Sequence, residues 1–188
     1  MKIDKIQALR GPNIWSVQRK KLIQMRLDLE EMEQFPTNKI EGFRERIEAM
    51  FPTMIEHRCS EGVRGGFFSR IERGTWMGHV IEHIALEIQT LAGMETGFGR
   101  TRETKTPGIY NVVFSYTEES VGMFAAESSV AIAEALIAGT DYDVEADIQK
   151  MREIRERVRL GPSTGSIVDE AVARDIPWIR LGTNSLVQ

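Results

Sequence analysis

Between Thr75 and Gly93 the chain repeats apolar residues at helical spacing: Met77, Val80, Ile81, Ile84, Ile88 and Leu91. Thr75 can cap the start and Gly93 can end the element, so the spacing predicts a helix over 75–92. Trp76 and Leu86 add apolar surface away from the main stripe. A helix apolar over that much of its circumference is expected to be covered, at least in part, on its second face as well.

Two of the chain's three histidines stand on that second face, in His79-Val-Ile-Glu82-His83. At about 100° per residue they fall opposite the apolar stripe, with Glu82 flanking them. The i, i+4 offset stacks the two rings on one side of the helix, close enough to share one ion. The pattern is the inverted form of the His-Glu-x-x-His zinc motif, in which the histidines hold the metal and the glutamate is the general base. The same residues also suit a plain structural pair on a covered face.

A zinc site of this kind takes a third protein ligand and keeps one position open. Glu119, at the start of the next long helix, is expected as that ligand, with Glu127 two turns further on as the alternative. Glu87 lies one turn beyond His83 and far from His79, so it is expected to orient His83 from outside the coordination sphere.

The 188 residues carry a net charge of −4 and are 41% apolar, enough for one core. The negative balance argues against general nucleic-acid binding. Cys59 is the only cysteine, so no disulfide framework or thiolate cluster forms. His57 two residues away is all that marks it as a thiol site. No leader or membrane-spanning run is read, and the cytoplasm is the expected compartment.

Ile23, Met25, Leu27 and Leu29 alternate with polar residues, and Tyr110, Val112, Phe114 and Tyr116 do the same, giving two half-buried strands. Ile3 to Leu9 is expected as a third. Helices are expected at about 40–51, 66–73, 118–138 and 144–159. The class that follows is α+β: a small, mostly antiparallel sheet packed by several helices. Leu160-Gly-Pro-Ser-Thr164 breaks the pattern. A short helix over about 163–174 and a strand over 176–181 then read as the start of another αβ unit, left unpartnered at Gln188 as in a fragment of something longer.

The loop 97–107 brings Arg100, Arg102 and Lys105 to the end of the histidine helix. Guanidinium groups grip carboxylates with paired hydrogen bonds, so Arg100 and Arg102 are candidate substrate-binding residues, with Arg64 in Arg64-Gly-Gly-Phe67 a lesser one. The alternative is an arginine bracing a glycine-rich turn. Arg152, Arg155, Arg157 and Arg159 read as a solvated helix face.

Several ordered stretches resemble the N-terminal region of the cyanophycin synthetases. They are Lys5-Ile-Gln-Ala-Leu-Arg-Gly-Pro-Asn-Ile-Trp-Ser16, Met25-Arg-Leu-Asp-Leu-Glu30, Arg64-Gly-Gly-Phe67, Gly78-His-Val-Ile-Glu-His83, Gly97-Phe-Gly-Arg-Thr-Arg-Glu-Thr104 and Leu160-Gly-Pro-Ser-Thr164. The likeness is weakest over about 140–158. It implies a polymer partner, cyanophycin, with a poly-aspartate backbone and arginine on each side-chain carboxylate. It also implies a longer enzyme in which an ATP-grasp domain adds aspartate and a Mur-ligase-like domain adds arginine. Residues 1–160 would be the N-terminal domain and 161–188 the lead-in to the missing ATP-grasp domain. ATP and magnesium would belong to the other domains, and only zinc to this one.

Two functions are then expected for the domain. In one, His79 and His83 hold zinc, Glu82 is the base and Arg100 steadies the reacting group, so that the polymer backbone is hydrolysed internally into short primers. In the other, the domain anchors the polymer or holds a homo-oligomer together without chemistry. Nucleic acid and membrane are not among the expected partners.

Overall fold

The computed structural model describes residues 1–17, 20–182 and 185–188. The alternating segment forms β2 (Leu22–Asp28), flanked by β1 (Lys2–Leu9) and β4 (Ile109–Ser115), with β3 (Gly99–Glu103) on the far edge. The order is β1-β2-β4-β3 and every pairing is antiparallel. Ile23 faces Phe114, Met25 faces Val112 and Leu27 faces Tyr110. Directly opposed residues share a face, so these six make one apolar surface.

Two long helices cover it. α3 (Met77–Leu91) packs on β3 and β4, α4 (Glu119–Ala138) packs on β1 and β2, and the two pack on each other. α4 approaches β2 closely at Gly122, where a Cβ would stand 2.8 Å from the Ile23 side chain. α5 (Val144–Val158) lies over both helices. α1 (Phe43–Met50) and α2 (Gly66–Arg73) pack on each other, joined by short 3₁₀ turns. By length and composition α4 is apolar enough to cross a membrane. Its Val121, Ala125, Ile132 and Ala133 are nevertheless fully buried, as befits a core helix.

The chain is thus α+β, with the helix-covered antiparallel sheet that the alternation implied. Three local expectations change. The segment 97–107 is not all loop: its first part is β3, an edge strand exposed at most positions, so no buried alternation marks it. The segment 176–181 is not a strand. Among the described residues it makes one isolated bridge, Arg180 to Val187, and Pro177 has no N–H for a ladder. The short helix before it is real, α6 (Pro162–Ala173), with proline in the first turn where its missing N–H costs nothing. Finally, Thr75 does not cap α3 through its side chain; its hydroxyl is used elsewhere.

Candidate metal centre

α3 runs along a cleft of about 630 Å³ whose other walls are residues 56–60, Arg70 of α2 and the start of β3. His79 and His83 face it one turn apart, their ring centroids 4.7 Å from each other. The stretch before α2 brings in a third donor: Cys59 Sγ lies 3.2 Å from His79 Nε2. The donor atoms of Cys59, His79 and His83 all lie within 4.8 Å of one another. Cys59 holds φ at 51°, in the left-handed region that is strained for such a residue, and strain of this kind concentrates at functional sites.

Both histidines are oriented from behind. His79 Nδ1 is 3.1 Å from the Thr75 hydroxyl, which can take its proton and leave the lone pair at Nε2, toward Cys59. Behind His83 stands a chain of two groups. His57 Nε2 donates to buried Glu87 Oε2 at 2.7 Å, and His57 Nδ1 meets His83 Nδ1 at 2.8 Å. When the Nε2 proton of His57 serves the carboxylate, its Nδ1 can accept from His83 Nδ1. The lone pair of His83 is then at Nε2, which meets no hydrogen-bond partner among the described residues. The Thr53 hydroxyl also bonds Glu87. Phe67 of α2 stacks on the His83 ring, with centroids 4.4 Å apart.

Glu82 lines the same cleft, and the Thr101 hydroxyl of β3 donates to its Oε2 at 2.6 Å. The strand can come this near because residue 99 is glycine: a Cβ there would lie 2.2 Å from Glu82 Oε1. Burial pushes the Glu82 carboxyl up to about 7, against the opposing pull of Thr101, Arg100 and Arg102. Burial, helped by the charge of Arg70, brings His79 down to about 4. Burial also holds His83 well below the ordinary imidazole value, with His79 and His57 adding to the effect. For Glu87, burial is outweighed by the hydrogen bonds from His57 and Thr53, and its pKa is lowered.

The chemistry is consistent throughout. Both imidazoles are neutral near pH 7, each has a lone pair free for a ligand, and a thiol stands beside them. Imidazole nitrogen and thiolate sulfur are both ligand types that zinc takes, and three protein ligands leave a position open, so the residues present fit a metal ion. A carboxyl titrating near neutrality beside it is suited to move protons.

Of the expected residues, His79, Glu82 and His83 come together, and Arg100 and Arg102 line the same cleft. Arg64 does not. It pairs with Glu56 at 2.8 Å in the open, with both side chains 66% exposed. Glu119, expected as the third ligand, stands away from the two histidines. Arg10 holds both of its oxygens at 2.6 Å, and it lines neither the cleft nor the cluster. Glu127 is exposed on α4. Cys59, not Glu119, is the third donor that stands beside the two histidines, and His57, Thr101 and Arg70 are further neighbours that the motif did not disclose. The one hint was that the third histidine and the sole cysteine sit two residues apart.

A family model described as the cyanophycin synthase-like N-terminal domain matches residues 24–138, a span that includes α3 and every residue of the cluster. The chain belongs to this family. Over its whole length it is 51% identical to the cyanophycin synthetases of Synechocystis sp. and Geminocystis herdmanii, and 48% identical to that of Crocosphaera subtropica. It spans 22% of the length of each.

Proposed function

We propose that this cyanophycin synthetase-type N-terminal domain is a zinc-dependent endo-hydrolase of the Asp-Arg storage polymer, cutting its backbone into short primers for extension. The observation that carries the reading is the meeting of Cys59, His79 and His83 beside a buried Glu82 that titrates near neutrality. Zinc bound by those three residues would supply a Lewis acid and bring the pKa of water toward neutrality. Glu82 takes a proton from the attacking water and returns it to the amide nitrogen that leaves. Thr101 and the glycine at 99 hold its carboxyl against the cleft. Arg100 grips an aspartyl carboxylate or steadies the oxyanion that forms, and Arg102 adds a second cation on the same wall.

In this reading residues 1–160 are the hydrolytic domain and 161–188 lead into an ATP-grasp region. ATP and magnesium serve the ligase domains of a longer parent enzyme, which acts in the cytoplasm and as a homo-oligomer. The test is to follow the size of cyanophycin incubated with the protein, with zinc, without it, and with chelator. We expect zinc-dependent shortening that falls by roughly 10²- to 10⁴-fold in Glu82→Gln while bound zinc is unchanged. Polymer that keeps its length at every zinc loading, yet still sediments with the protein, would instead make this an anchoring domain.

A further inference from the structure

The chain is acidic overall, yet its cleft is cationic. Arg58, Arg70, Arg100 and Arg102 line it against two carboxylates, Glu56 and Glu82, and Glu56 is already paired with Arg64. Arg100 and Arg102 come from β3, on the Glu82 side, where their charges act on that carboxyl. Arg70 comes from a different element, α2. Phe67, one turn before it, lays its ring against both His83 and His79, at centroid distances of 4.4 and 5.9 Å. Residues three apart share a helix face, so the packing of Phe67 carries Arg70 to the His79 end of the cleft.

Among the cleft arginines, Arg70 is the one with a shielded nitrogen that meets no acceptor among the described residues. Its Nε is shielded from solvent and makes no hydrogen bond, and no carboxylate among the described residues pairs with it. Arg44 and Arg46, also half-buried, show the ordinary arrangement. Arg44 Nε also lacks a hydrogen bond but stands 3.4 Å from a Glu72 carboxylate oxygen, with Glu48 on the same guanidinium, and Arg46 donates to the carbonyls of Leu136 and Glu41. Shielding a guanidinium nitrogen without an acceptor is costly, and a site retains such a group where a ligand brings the acceptor. The fork geometry of guanidinium selects a planar carboxylate over a neutral amide.

We propose that Arg70 is a specificity-determining residue of this cleft: it grips a carboxylate of the bound peptide chain on the His79 side, from a different element than Arg100 and Arg102. The inference rests on the hydrolytic reading for what the bound chain is, but not for its test. A chain held by its carboxylates from two elements of the cleft is one with a carboxylate on every repeat, and it is cut internally.

The experiment measures binding where turnover is silenced. The probes are a peptide of two Asp-Arg units with free arginine carboxylates and the same peptide with those carboxylates amidated. Calorimetry on the zinc-loaded Glu82→Gln protein should show the free form binding roughly tenfold to hundredfold tighter. Adding Arg70→Gln should abolish that preference with zinc content and circular dichroism unchanged, and Arg70→Lys should restore part of it. An undiminished preference in Arg70→Gln, or no preference in the parent, would overturn the assignment. Cleavage by the protein with Glu82 intact is scored separately. An Arg70-dependent preference without any cleavage refutes the hydrolase and leaves Arg70 as the carboxylate reader.

Discussion

α3 and α4 are neighbours on the same face of the same sheet, both apolar nearly all round, yet they bury different chemistry. α4 encloses nothing more polar than Ser128 and Ser129. Ser129 bonds its own helix backbone, and Ser128 bonds Asp147 of α5. α3 encloses Glu82, His83 and Glu87, each no more than 7% exposed, with His79 at their edge. Each ionisable group there has a partner from outside the helix: Thr101, His57, Thr53, Cys59 or Thr75. Burial of charge costs stability unless it is matched, so a helix built only for packing does not carry it. The difference teaches that α4 is optimised for the core and α3 gives up stability for a site.

The comparison breaks most directly in the core. Ile132→Ala in α4 removes a side chain with no exposure and should cost about 2–5 kcal/mol in urea unfolding, with metal affinity of the folded protein unchanged. A loss of metal binding at equal folded fraction would mean that α4 is part of the site after all.

On α3 the sign should reverse. Glu82 rises from 4.5 unfolded to about 7 folded, so ionising it destabilises the fold as pH climbs through that window. His79 falls from 6.5 to about 4, so its contribution is present above pH 6.5 and lost as pH drops toward 4. In the metal-free protein the two slopes oppose each other between pH 4.5 and 6.5. Glu82→Gln removes one of them. The variant should be more stable than the parent at pH 8, by up to about 3 kcal/mol, and should converge with it below pH 4.5. A variant no more stable at pH 8 would mean that Glu82 is not held in a costly environment.

A smaller effect sharpens the account of the partners. Glu87→Ala should weaken zinc binding by roughly 10- to 100-fold in chelator competition and shift the ¹⁵N signals of His83 toward the other tautomer. Unchanged signals would show that His57 orients His83 without the carboxylate. The smallest effect is expected at Glu119→Gln, which should leave zinc content and polymer cleavage as they are. A drop in zinc stoichiometry would restore that residue to the ligand set.

The legibility of the parts follows the same division. β2, α3 and α4 announce themselves because burial on one face or all round imposes a period on the sequence. His79, Glu82 and His83 were readable since one helix sets their spacing. Cys59 and His57 lie in turns between α1 and α2, where no period exists to interpret. Thr101 sits on an edge strand too exposed to show alternation, and Arg70 looks like any charge on an amphipathic helix.

By itself, then, the sequence determined the helix-covered antiparallel sheet, the family and the two histidines and glutamate that share a helix. Those depend on interactions within a few residues and on periodic burial. The third donor, the tautomer-setting pair His57–Glu87 and the shielded Nε of Arg70 were decided only by the tertiary structure. They arise where a loop, a strand and a second helix converge on α3, and no local period encodes which distant side chain will meet a given lone pair.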